Sequence, residues 1–155
     1  MRNIEVHRQI QRLNNLFSLI STISDDVETR SHWARYLCVL VSGFVETSVR
    51  SIFSHYAQTK AAPTVANFVK ISLRRFQNVK METILQLARS FNPAWGEELQ
   101  RAAEGERKDA IDSITANRNL ISHGESVEIT YVRIKNYYER ALEVLELLEG
   151  KCLER

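Results

Sequence analysis

"WARYLCVLVSGFVETSVRSIFSHY", residues 33–56, sets Trp33, Tyr36, Leu37, Leu40, Val41, Phe44, Val45, Val49, Ile52, Phe53 and Tyr56 in a pattern that returns every three or four residues. That period belongs to one face of an α-helix, because a strand would bury alternate residues. At 1.5 Å per residue the run is on the order of 40 Å long, and it is expected to be the spine of the fold. Upstream, Ile4, Ile10, Leu13, Leu16, Phe17 and Ile20 mark a helix over residues 4–23, and "SDDVETRS" (24–31) separates it from the spine. Downstream, Pro63 in "TKAAPTVA" opens a third helix over 65–76, a fourth covers 81–91, and the second proline, in "FNPAWGEE" (91–98), interrupts the pattern. Two more helices are expected, over 106–122 and, on Ile134, Tyr137, Tyr138, Ala141, Leu142, Leu145 and Leu148, over 130–148.

Composition agrees with this reading. Five glycines and two prolines are too few breakers for a many-stranded sheet. A 155-residue chain that is 44% apolar can bury a core without staples. The expected fold is therefore all-α: an antiparallel bundle of five to seven helices around one long central helix, forming a single domain over 1–155. Cys38 and Cys152 lack C-x-x-C or Cys/His ligand spacing, which argues against a disulfide framework or a zinc site. His32 and His55 lack ligand-spaced partners, and there is no H-E-x-x-H, P-loop or G-x-S-x-G, so neither metal nor cofactor is expected. The start, "MRNIEVHRQI", has no apolar signal-peptide core, and the uninterrupted apolar runs fall short of the roughly 20 residues of a membrane span. A complete cytoplasmic protein is expected, with no membrane partner. Lys and Arg number 21 against 19 Asp and Glu, which excludes binding of nucleic acid through bulk charge and leaves such a role to a local site.

The strongest local candidate is "ANRNLISHGES", residues 116–126. Four residues separate Arg118 from His123, but Arg2/His7 and Arg50/His55 share that spacing, so it decides nothing alone. Arg2 and His7 fall where a terminus is expected to fray. Arg50 and His55 fall inside the long helix, where five steps of roughly 100° put side chains about 140° apart. Arg118 and His123 differ in context. Gly124 suits the C′ position, which ends the helix at His123 and frees the imidazole from strict helical direction. Ile111, Ile114 and Ile121 form an apolar stripe, and Arg118 occupies the position seven after Ile111, where an apolar residue is expected. A buried guanidinium without a partner costs several kcal/mol, so Arg118 needs a partner, a wet cleft or a facing surface that supplies an anion. Asn119, four residues before His123, shares its face. These residues admit two readings: a helix cap with a snorkelling arginine, or an anion site.

"RNLISHG" (118–124) resembles the R-x(4-6)-H signature of HEPN domains, the all-α modules named for higher eukaryotes and prokaryotes nucleotide-binding, with Asn119 as the polar residue after the arginine. The order of elements is also similar, with a long second helix, a late helix bearing the motif and a closing helix. "GFVETSVRS" (43–51) resembles the RiboL-PSP-type and MAE-like bacterial branch, whose long helix carries a glutamate followed four positions later by a basic residue, here Glu46 and Arg50. Read without the resemblance, that pair is a surface ion pair worth a few tenths of a kcal/mol.

The resemblance implies a metal-independent endoribonuclease, toxin-like or defence-associated, with RNA as its partner and an antitoxin or nucleotidyltransferase as a further one. It implies a homodimer whose motif helices meet in one composite cleft. Histidine is the motif residue type that titrates near neutrality, which makes His123 the candidate general acid or base, with Arg118 on the phosphate and Asn119 orienting either. A non-catalytic module that binds nucleotide, RNA or protein, and a structural adaptor, are the competing expectations. "KISLRRFQNVK" (70–80) gathers Lys70, Arg74, Arg75 and Lys80 near Phe68 and Phe76; it reads either as an RNA-tracking surface or as a solvated face over core phenylalanines.

Overall fold

The apolar stripe of the long helix is the centre of the protein: Leu37, Cys38, Val41, Val49 and Phe53 are fully buried. The structure is a computed structural model that describes residues 1–23 and 26–153. It consists of α1 (Ile4–Ile23), α2 (Val27–Lys60), α3 (Pro63–Ser72), a 3₁₀ turn (Leu73–Arg75), α4 (Met81–Phe91), α5 (Pro93–Ala103), α6 (Glu106–Ser122) and α7 (Tyr131–Leu153). No strand occurs among the described residues. The expected all-α bundle with one long helix is what forms.

Of the segment read as the break before the spine, Ser24 and Asp25 lie outside the described residues. Asp26 caps α2 by accepting a hydrogen bond from the Thr29 amide at 2.8 Å. Hydrogen bonding with Thr29 holds the Asp26 carboxyl below its ordinary value. Capped there, α2 runs for 34 residues, about 51 Å at 1.5 Å per residue. An 18-residue window of α2, with mean hydropathy 1.4, makes it the one helix among the described residues long and apolar enough to cross a bilayer. The chain spends that apolar face on its own core, where α2 packs against α1, α6 and α7.

α1 runs antiparallel to α2, since Thr47 Oγ1 bonds Gln9 at 2.9 Å and Ser51 Oγ bonds Glu5 at 3.0 Å. It also runs antiparallel to α7: Tyr131 donates to the Phe17 carbonyl at 2.8 Å, while Glu149 accepts the amides of Arg2 and Asn3 at 2.8 and 2.7 Å. α2 and α7 therefore run side by side in the same direction. Four helices intervene between them in sequence, enough chain to return to the same end. The Phe17, Phe44 and Tyr138 rings meet in the core at centroid distances of 5.0 and 5.9 Å. The first turn of α1, expected to fray, is instead tied down: the buried Glu149 carboxylate holds two amides, and Asn3 Oδ1 accepts the Val6 amide at 3.2 Å.

Pro63 stands at the first position of α3, as expected, but the helix stops at Ser72 and tightens into the 3₁₀ turn. The proline read as an interruption starts α5 instead. Asn92 caps that helix through the Ala94 amide at 3.0 Å, and Pro93 takes the first-turn position, where its missing N–H costs nothing. Between the 3₁₀ turn and α4, the loop 76–80 is fastened to α6 at two points. Thr115, buried, donates to the Val79 carbonyl at 2.6 Å, and Asp112 accepts the Met81 amide at 2.8 Å. This fastening lays the loop along the α6 face that carries Arg118.

Candidate functional site

α6 ends in a Schellman motif. The Glu125 amide donates to the Leu120 carbonyl at 3.0 Å and the Gly124 amide to the Ile121 carbonyl at 3.1 Å, with Gly124 at φ 72°. Only a residue without Cβ takes that backbone conformation freely, so Gly124 fixes where the helix stops. His123 becomes the C-cap, at φ −89° and ψ 7°, with its amide on the Asn119 carbonyl at 3.1 Å. Its side chain is exposed and hydrogen-bonds nothing among the described residues.

Arg118 lies half-buried on the stripe continued by Ile121. Its Nη1 donates to Asn78 Oδ1 at 2.7 Å and to Asn119 Oδ1 at 3.1 Å. Both acceptors are neutral amides, and Arg118 forms no ion pair among the described residues. The partner that its place on the stripe demanded is thus a pair of oxygens that fix the guanidinium without cancelling its charge.

Asn78 was not legible as a site residue. It sits in the left-handed region at φ 53°, which short polar side chains tolerate best after glycine. From there its side chain reaches Arg118 while its amide donates to Glu46 Oε2 at 3.3 Å. Glu46 Oε1 pairs with Arg50 Nη2, and Arg50 Nε donates to the Phe76 carbonyl at 3.0 Å. A continuous hydrogen-bonded chain runs Arg50, Glu46, Asn78, Arg118, Asn119. The Glu46–Arg50 pair is more than a solvated surface pair: its side chains are only 20% and 27% exposed, and they grip the loop that holds Arg118. The available signal was an asparagine among the polar residues joining two helices, a pattern typical of turns.

The four cations of the 70–80 segment are all exposed. Lys70 and Arg74 line a cavity with Arg2, Arg50 and His55, whereas Arg75 and Lys80 lie outside it. Phe76 packs on the core, and Phe68 is 70% exposed. Among the described residues, no group of three or more His, Cys, Asp or Glu side chains is placed to hold a metal ion.

The family model for RiboL-PSP-HEPN matches residues 5–154 of the chain. No curated protein and no solved structure matches it. The match takes in every helix, including the long one bearing Glu46 and Arg50 and the late one ending in Arg118, Asn119 and His123. On this near-complete match the chain belongs to the RiboL-PSP-HEPN family, within the HEPN superfamily.

Proposed function

We propose that the protein is a metal-independent endoribonuclease whose site is built from Arg118, Asn119 and His123. The observation that carries this reading is the way Arg118 is held: one nitrogen is fixed by two neutral oxygens, no carboxylate competes for it, and an exposed imidazole stands five residues on, at the end of the helix. An arginine neutralised by an acid has little left for a phosphate. One tethered by amides keeps its full charge and remaining donors for the non-bridging oxygens.

The reaction is transesterification. The ribose 2′-oxygen bonds to the adjacent phosphorus, the bond from phosphorus to the 5′-oxygen breaks, and a 2′,3′-cyclic phosphate and a 5′-hydroxyl result. One proton leaves the 2′-hydroxyl and another reaches the 5′-oxygen, so two proton-transfer groups are required. Each chain offers one exposed His123. A homodimer in which the two α6 ends meet supplies both, with Arg118 stabilising the charge that develops on phosphorus. Leu120, exposed on α6 beside Asn119, gives that contact an apolar element. The enzyme acts in the cytoplasm as a toxin-like or defence-associated nuclease, under an antitoxin or nucleotidyltransferase partner that keeps it in check.

The test is cleavage of RNA by chelator-treated wild type and by His123→Ala, with the ends of the products identified. Cyclic phosphate ends that vanish in His123→Ala support the proposal. Wild type that binds RNA and leaves it intact would show a binding module instead. Titrating wild type with an excess of His123→Ala chains should abolish cleavage, because a mixed dimer keeps only one of the two histidines, and that dominant loss would establish the composite site. Toxicity on expression, relieved by His123→Ala, would support the cellular role.

A further inference from the structure

Where the start of α1, the second half of α2 and the end of α3 come together, they enclose a cavity of about 470 Å³. Arg2, Arg50, Lys70 and Arg74 line it with His55, against the single carboxylate of Glu5. That carboxylate already accepts a hydrogen bond from Ser51 at 3.0 Å. With Arg50 already paired to Glu46, three cations facing one acid are still a strong local excess for a chain whose net charge is only +2. The side chains of Arg2, Lys70 and Arg74 make no ion pair or hydrogen bond among the described residues, so their charge is uncommitted. Arg50, paired with Glu46 and tethered to the Phe76 carbonyl, shapes the wall, and the free charge comes from the other three. On helical geometry alone Arg50 and His55 should diverge. They line the same cavity because α1 and α3 stand on either side of α2 and carry its walls around the helix.

We propose that this cleft binds the phosphates of a single RNA strand next to the bond that is cut. The proposal rests on the endoribonuclease reading for its geometry but not for its chemistry. Uncommitted cations around a water-accessible cavity suit closely spaced phosphates, whether of a strand or of a free polyphosphate. Two features favour the strand. The α2 wall runs from Thr47 to Gln58, about 16 Å at 1.5 Å per residue, long enough for more than one phosphate. At one end, Arg50 leads through Glu46 and Asn78 to Arg118, so a strand lying in the cleft continues towards the motif.

The test uses full-length protein, a fluorescent 2′-O-methyl RNA oligonucleotide that lacks the attacking hydroxyl, and the exposed double variant Lys70→Gln/Arg74→Gln. The expected result is at least tenfold weaker binding and a shallower salt dependence. The slope should fall by about 0.7 for each phosphate no longer neutralised, about 1.4 for two. Arg101→Gln, exposed on α5 and outside the cleft, should bind as wild type does. A double variant with wild-type affinity and slope overturns the proposal. Displacement of the RNA by equimolar inorganic tripolyphosphate would assign the cleft to a compact polyphosphate and overturn the strand. If wild type cuts no RNA while the double variant still loses affinity, the cleft stands and the endoribonuclease reading fails.

Discussion

Arg50 and His55 in the middle of α2, and Arg118 and His123 at the end of α6, have the same number of residues between arginine and histidine. Their surroundings differ in two respects. Arg50 is bound to the carboxylate of Glu46 and to a backbone carbonyl, whereas Arg118 is bound to two amide oxygens. His55 belongs to a continuous helix, whereas His123 is the cap where a helix stops. What makes such a pair a candidate for chemistry is the kind of oxygen that holds the arginine and the helix end that releases the histidine. A neutral tether orients without neutralising, and a C-cap lets the imidazole leave the helical direction.

The largest effect that would sharpen this contrast is on turnover. His123→Ala should lower kcat by roughly 10²–10⁴, the usual worth of general acid–base catalysis, with no change in the circular dichroism spectrum. His55→Ala should raise KM through weaker RNA binding and spare kcat. An equal loss of kcat in both would break the distinction between the two pairs.

Next in size is the tether. Asn78→Gly keeps the φ of 53° accessible while deleting one of the two oxygens that hold Arg118. Removing one hydrogen bond to a charged group, worth about 1.5 kcal/mol, should cost about tenfold in kcat, with thermal melting little changed. Glu46→Gln acts one step further away, through the Asn78 amide, and should cost less.

Two glycines compare the helices by stability. Gly124→Ala places a Cβ in open space but at φ 72°, so the cost is conformational, about 1 kcal/mol in urea unfolding. Gly43→Ala, in the middle of α2 and equally open, should instead stabilise by about 0.5–1 kcal/mol. Destabilisation by both would mean that the two sites are not distinguished by backbone conformation.

The smallest effect at neutral pH lies in the core. Burial pushes the Cys38, Cys152 and Tyr138 groups up to about 12, from ordinary values of 9.0 for the thiols and 10.0 for the phenol. The unfolded chain therefore loses these protons first as pH rises. Their contribution to stability is fully present below about pH 9 and is lost between there and about pH 12. Urea midpoints should be flat from pH 7 to 8.5 and fall above pH 9.5, while the thiols of the folded protein resist alkylation at pH 8.

Most of the helical framework was legible because it is written in local terms. The stripe on α2, the bounds of α1 and α6 and the stop at Gly124 all follow from contacts within one or two turns. α5 was missed because Pro93 breaks a helix from inside but begins one when an asparagine precedes it to cap the first turn. At the site, the charge on the α6 stripe showed that Arg118 needed a partner, and the sequence could not say which.

The sequence by itself determined the all-α class, the long central helix, the motif residues and the place where α6 ends, since these depend on a 3.6-residue period and on the backbone freedom of one glycine. Only the tertiary structure decided that α2 and α7 run the same way, that Asn78 reaches Arg118 across 40 residues of sequence, and that Arg2, Arg50, Lys70 and Arg74 surround one cleft. These depend on segments far apart in the chain, brought together when Thr115 and Asp112 fasten a loop and when α1 and α3 close on either side of α2. No local pattern encodes such meetings, because they follow from how whole helices pack.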